Sequence, residues 1–396
     1  MIVRSTLVLG LTLILVVSLL GNINAFGQPA IDDPSLKTEL LTQGLSFPTS
    51  MAFLDPDNIL VLEKEGNVRL ISAGVLQPQP VVSLSAVNKN ERGLLGIEKI
   101  ANNVFLYITE EKGDVANKVY KFDISGSQLT NQKLILDLPA GPGTNHQGGK
   151  LVAGKDGSLY SVTGELQREG KDQNIQDGPD PDFSGAILRV NPDDGSPAQN
   201  NPFSSQDSSS SPLSHYYAYG VRNSFGLAIG PVSGSLWDTE NGEDFYDEIN
   251  LVNPGFNSGW KLVMGPIAQS GISEDQLVNF PGSKYSDPIF SFKESIGITE
   301  IEFLSSSNLG DKYANNVFVG DIRNGNLYFF KLNEMRNGFI LDSPNLEDKV
   351  VDDDSELDPL VIGTGFAGIT DIKTGPDGNL YVLSYEDGSI YKISPS

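Results

Sequence analysis

The sequence predicts an all-β fold, a six-bladed β-propeller of four-stranded antiparallel blades. Two observations carry this. Six segments repeat one pattern of turn, alternating apolar strand, Gly- or Asn-containing turn and second strand, at roughly 60-residue average spacing. No long stretch shows the 3.6-residue apolar period of a helix, which argues against an α/β sheet. The repeats lie at 54–71 (LDPDNILVLEKEGNVRLI), 101–122 (ANNVFLYITEEKGDVANKVYKF), 154–190, 230–252, 314–332 (ANNVFVGDIRNGNLYFFKL) and 375–393 (GPDGNLYVLSYEDGSIYKI). In each, alternation such as NLYVLS at 379–384 is the two-residue period of a strand whose faces differ. The PDG, KDG and EDG triplets are hairpin turns in which Gly supplies positive φ. A propeller closes on itself, so the strands of 381–393 are expected to pair near the start of the domain, protecting an edge. A pair of β-sandwiches is the alternative, but sandwiches rarely repeat one hairpin signature six times.

Flanking segments complete the organisation. Residues 1–25 read as a secretory signal, with Arg4 before an apolar run over 5–20 and a polar, small-residue stretch (GNINAFGQ) at 21–28. An uncleaved anchor is the alternative, although 16 residues is short for a span. Residues 26–37 are expected as a linker and 38–396 as the propeller. The Ser/Pro/Asn-rich stretch 191–214 is expected as a surface loop, and the acidic run DDDSELD at 352–358 as a solvated face.

Composition narrows the function. Lys and Arg number 27 against 51 Asp and Glu, a formal charge of −24, which argues against a nucleic-acid binder, because phosphate contacts need clustered Lys and Arg. It also opposes docking on an anionic membrane. Cysteine is absent, which excludes disulfides, thiolate metal sites and cysteine nucleophiles. Two histidines, His146 and His215, make a multi-histidine zinc centre improbable.

Three motifs can carry chemistry. His146 lies in a Gly-rich loop (GPGTNHQGGKL, 141–151), one hairpin before Glu165 (VTGE), so a carboxylate can return beside an imidazole and orient a general base. An incidental surface histidine is the bland alternative. Arg222 and Asn223 (YGVRNSFGL, 219–227) offer a guanidinium fork and an amide beside glycines that admit a ligand, or an Arg that caps carbonyls. The stretch WDTENGEDFYDEIN (237–250) gathers Asp238, Glu240, Glu243, Asp244, Asp247 and Glu248 around Gly242, as a Ca²⁺ loop or a solvated acidic one. GTGFAG at 363–368 matches a dinucleotide motif but leads into a strand and a turn, so that reading fails.

Together with ERGLLGI (91–97), GAILRVNPDDG and TDIKTGPDGNLYVL (370–383), these motifs resemble the soluble PQQ-dependent sugar dehydrogenases, the glucose/sorbosone and aldose sugar dehydrogenase family, over roughly residues 38–393. The resemblance implies an exported or periplasm-like quinoprotein that oxidises an aldose or similar alcohol by hydride transfer to PQQ with Ca²⁺ assistance. The substrate is a small sugar and the electron acceptor is external. His146 matches the general base and Glu165 the acid that polarises it. Glu91, Asn145, Arg222, Asn223 and Arg323 fall at cofactor-contacting positions. Gly242 and Glu243 match a Gly-Pro pair whose carbonyls hold the catalytic Ca²⁺, and Glu248 a carboxylate near a second, structural Ca²⁺. The chain departs from the family where it typically reads Arg-x-Arg-Asp: here the segment is Gly368-Ile369-Thr370-Asp371, without either arginine. Two alternatives stay open, a glycan- or protein-binding propeller that has lost PQQ, and a Ca²⁺-dependent lactonase-like propeller.

Overall fold

The computed structural model describes residues 27–204 and 211–396. The expected leader over 1–25 lies outside the described residues, as does the 205–210 part of the Ser/Pro-rich loop. Among the described residues the strands collect into six sheets, and helix is confined to single turns such as Ile267–Ser270.

Each sequence repeat is the second and third strand of one sheet. Asn58–Glu63 with Asn67–Ser72, Asn103–Lys112 with Asp114–Ser125, and Leu159–Thr163 with Ala186–Val190 are the first three such pairs. Leu236–Glu240 with Phe245–Val252, Val317–Asp321 with Leu327–Leu332, and Leu380–Ser384 with Ser389–Pro395 are the others. Before each pair lies the sheet's innermost strand: Pro48–Asp55, Leu94–Ile100, Leu151–Ala153, Ser224–Ile229, Ile298–Phe303 and Ile369–Thr374. These six strands touch one another in cyclic order, the last against the first, so the sheets form the ring of a β-propeller.

The alternation along the repeats has a specific cause. Leu380–Ser384 is buried at every position, because its two faces meet two different neighbouring sheets. Leu380 and Val382 pack with Tyr313, Phe318 and Leu327, whereas Tyr381 and Leu383 pack with Met51, Val61 and Ile71. Ring closure follows the expectation from sequence. Leu36–Gln43 pairs antiparallel with Ser389–Pro395, from Leu36↔Pro395 to Gln43↔Ser389 with one register shift between Leu40 and Thr42, so the sheet that ends the chain takes its outer strand from the beginning.

One expectation needs correction. Four antiparallel strands do not describe every sheet, since sheets of five and six strands occur. Short segments such as Phe256–Asn257 and Val350–Val351 add in parallel to outer strands, because the long connections there return alongside an open edge and satisfy its backbone groups. Within the expected linker, Ala30–Ile31 pairs with Val361–Thr364, and the closing strand begins at Leu36.

Candidate active site

At one end of the ring the innermost strands open into a cavity of about 410 Å³, within the range of small-molecule sites. Every sheet contributes to its wall, from Thr49 and Lys64 of the first through His146 and Arg222 to Thr370 and Tyr385 of the last.

The loop that carries His146 is shaped by its glycines. Gly148 and Gly149 sit at φ +63° and +103°, and a Cβ would fall 2.9 Å from the Val162 carbonyl oxygen at the first and 2.8 Å from Leu95 Cβ at the second. Only glycine lets this loop lie flush against its neighbours. His146 itself holds a left-handed backbone, φ 58°. Its N–H donates to Glu91 Oε2 at 2.7 Å, which fixes the turn from the neighbouring sheet.

The imidazole is gripped at both nitrogens. Nδ1 lies in a close hydrogen bond with Glu165 Oε1, and Glu165 is buried. Arg222 Nη2 donates to Nε2 at 3.0 Å. A guanidinium only donates, so Nε2 carries the lone pair and the proton sits on Nδ1, facing the carboxylate. The Nε2 lone pair thus faces the Arg222 guanidinium, in the wall of the cavity that both side chains line. Glu165 is fixed in turn: its N–H donates to the Arg222 carbonyl at 2.8 Å, and Arg168 N–H donates to its Oε2 at 3.0 Å. Arg222 is buried, donates through Nη1 to the Asn241 carbonyl at 2.8 Å and lies 5.2 Å over the Trp260 ring. Its Nε is buried without a partner.

The other expected residues separate. Glu91, Asn223, Arg323, Gly242 and Glu243 line the cavity with His146 and Arg222. Asn223 bridges the loops, donating to Glu91 Oε2 at 3.0 Å and accepting from Gly148 N–H at 3.3 Å. Asn145 is not among the lining residues, because the left-handed turn at His146 directs the chain so that its carbonyl accepts from Gln147 Nε2 at 3.1 Å. Glu248 is likewise off the cavity, buried and accepting from Gly265 N–H at 2.5 Å.

The acidic stretch divides, and this the sequence did not reveal. Glu243 and Asp244 are exposed, whereas Asp238, Glu240, Asp247 and Glu248 are buried. Asp247 clamps the Gly242 loop to the next sheet, accepting from Gly242 N–H at 3.0 Å, Ser295 Oγ at 2.8 Å and Gly297 N–H at 2.7 Å. Glu240 faces Glu248, and Asp238 faces Asn250, across one strand pair. Burial pushes Asp238 and Glu248 well above the usual carboxylate range and Glu240 up to about 7. Both Asp238 carboxyl oxygens and Asn250 Oδ1 are buried without partners. Such a hard-oxygen set suits a cation of the Ca²⁺ type, although among the described residues no three His, Cys, Asp or Glu side chains converge into a metal cluster by themselves.

The donor set of the cavity also suits a polyanion. Arg222 and Arg323 line it, and neither makes an ion pair among the described residues. At the departing segment, Gly368 sits at φ +79° with a Cβ position 3.0 Å from Ile322 Cδ1, so a side chain there is strained. Thr370 lines the cavity and donates to the Pro48 carbonyl at 2.8 Å.

The family model for glucose/sorbosone dehydrogenase matches residues 45–392. The chain belongs to the glucose/sorbosone dehydrogenase family. Among relatives of this dehydrogenase, the aldose sugar dehydrogenase YliI of Escherichia coli is 26% identical over 375 residues, 91% of this chain and 93% of that protein. A putative oxidoreductase (glucose dehydrogenase) of Thermus thermophilus has a similar structure, with TM-score 0.73 and 27% identity, covering 90% of this chain and 99% of that one. The PQQ-bound aldose sugar dehydrogenase of Streptomyces coelicolor shares the fold, with TM-score 0.66 and 23% identity over 92% of this chain and 99% of that one.

Proposed function

We propose that this dehydrogenase is an exported quinoprotein of six blades, one per sheet, that oxidises an aldose or similar alcohol using PQQ and Ca²⁺. The observation that carries the reading is the His146 imidazole, held by Glu165 at Nδ1 and by Arg222 at Nε2, in the wall of a cavity that Arg222 and Arg323 also line. Arg222, Asn223 and Arg323 would hold PQQ, and the Gly242 and Glu243 backbone carbonyls would hold Ca²⁺. When bound, PQQ supplies a hydride-accepting carbonyl that Ca²⁺ polarises.

The chain's own residues manage the proton. His146 Nε2 accepts the substrate hydroxyl proton, so the Arg222 hydrogen bond to that nitrogen must yield to the hydroxyl. The Glu165 carboxylate then stabilises the imidazolium, and Glu91 and Asn223 keep the loop in place. The leader-like segment supports export.

Reconstitution tests the reading. Full-length protein given PQQ and Ca²⁺ is expected to oxidise at least one aldose in a dye-linked assay. Chelation is expected to abolish that rate and added Ca²⁺ to restore it. A rate indifferent to chelation defeats the metal's role. Glu165→Gln is expected to lower kcat by about 100-fold with KM little changed, because the amide can present the wrong group to Nδ1. Steady-state kinetics decides, and an unchanged kcat removes Glu165 from the mechanism.

A second reading, a binding propeller without PQQ, draws on Gly368, where a side chain would be strained, and on Thr370, the positions where family arginines are missing. It expects no saturable PQQ binding at micromolar concentration. A lactonase-like reading requires converging carboxylates at the axis, and the described residues hold no such metal cluster.

A further inference from the structure

Lys64 was not singled out by its sequence context, yet its setting in the cavity wall is unusual. It follows the strand Asn58–Glu63 and is pinned from two sides: its N–H donates to the Phe47 carbonyl at 3.1 Å, and its carbonyl accepts from Leu94 N–H of the next sheet at 3.0 Å. Its stem lies against Gly93, where a Cβ would fall 2.7 Å from Lys64 Cγ. The ammonium therefore has a fixed approach. It donates to two neutral acceptors, Asn88 Oδ1 and the Asn90 carbonyl, each at 2.6 Å. An ammonium has three donors, so one is left for a ligand.

The charge is unmatched. The chain carries −24, and Lys150, the other lysine of the cavity wall, is taken by Glu300 and Asp371. Lys64 makes no ion pair among the described residues. Burial lowers its pKa, partly offset by the more distant Glu91 and Glu65. A partly desolvated cation without a direct ion-pair partner gains from an anion that comes to it.

Position names the anion. Arg222 and Arg323 approach the cavity from the fourth and fifth sheets, and Lys64 from the first. The adjoining sheet presents Thr370, whose hydroxyl reaches Pro48, the residue paired with Glu63 beside Lys64. We propose that Lys64 is an anchoring residue for a carboxylate of the bound cofactor, and that it forms with Arg222 and Arg323 a three-point cradle for a tricarboxylate. This rests on the PQQ reading above. In that cradle Lys64 supplies the charge absent at Gly368 and Thr370.

The test measures binding directly. PQQ is titrated into the Ca²⁺-supplemented full-length protein and followed by tryptophan quenching, without substrate. Lys64→Gln is expected to weaken binding by about 10- to 100-fold, the worth of one charge-assisted hydrogen bond. Lys64→Arg is expected to stay within about threefold of the parent, and Thr370→Arg in the Lys64→Gln background to recover most of the loss. Should Lys64→Gln unfold, Lys64→Met keeps the stem against Gly93 and carries the same expectation. Parent-like PQQ affinity in the neutral variant overturns the anchoring role while leaving the quinoprotein reading intact. No saturable binding by the parent protein overturns both.

Discussion

His146→Ala is expected to lower the turnover of the PQQ- and Ca²⁺-loaded protein by about 10²- to 10⁴-fold, the usual contribution of a positioned general base. The alcohol must lose its hydroxyl proton as hydride leaves carbon, and His146 Nε2, which accepts from Arg222 at the cavity wall, is the proposed acceptor. Alanine removes that acceptor and leaves Glu165 and Arg222 without their shared partner. PQQ affinity is expected to change little, since the cradle cations remain. Single-turnover reduction of the bound cofactor by an aldose isolates the step from dye reoxidation. A variant that reduces PQQ at the parent rate defeats the mechanism, whatever sugar is used.

The second large effect concerns stability. Lys150→Met is expected to destabilise the fold by about 3–5 kcal/mol at neutral pH, the cost of removing one member of a buried ionic group. Lys150 Nζ contacts Glu300 closely and sits 2.9 Å from Asp371 Oδ1, and all three side chains are buried at the ring axis. Burial alone would raise the Asp371 pKa, yet Lys150 and Lys373 hold it at about 2. For Glu300 burial prevails and its pKa is raised.

The pH dependence follows in sign. A carboxylate depressed in the folded state stabilises above its unfolded value, near 3.9, and that share is lost as pH falls toward about 2. The parent protein should therefore lose part of its stability between those limits. In the variant Asp371 lacks its main partner and its pKa rises, so protonation relieves the unpaired charge. The gap between variant and parent is expected to narrow on going from pH 7 to pH 4. Urea unfolding at both values measures it, and a gap that widens in acid rules out this account of the axial group.

Much of the architecture was readable from local pattern. The two-residue period of NLYVLS and its five relatives marked the paired second and third strands, since alternate side chains of such a strand meet different neighbouring sheets. The innermost strands were harder to see. Leu151–Ala153 has three residues, and its neighbours are polar because they face the axis. Catalytic geometry was partly readable: His146 and Glu165 are one hairpin apart, so strand pairing alone brings them together. Asn145 was expected at a cofactor-contacting position beside His146, but it is not among the residues that line the cavity. The acidic stretch looked uniform, and burial split it.

By itself, the order of residues determined the repeat, the hairpins, the ring closure and the imidazole–carboxylate pair. Each depends on neighbours in sequence or on a period that recurs along it. Only the tertiary structure decided which charges matter. Lys64, Asp247 and Lys150 look like ordinary polar residues until sheets distant in the chain surround them. Once water is removed from a charge, its energy is set mainly by its counter-charge, or by the lack of one.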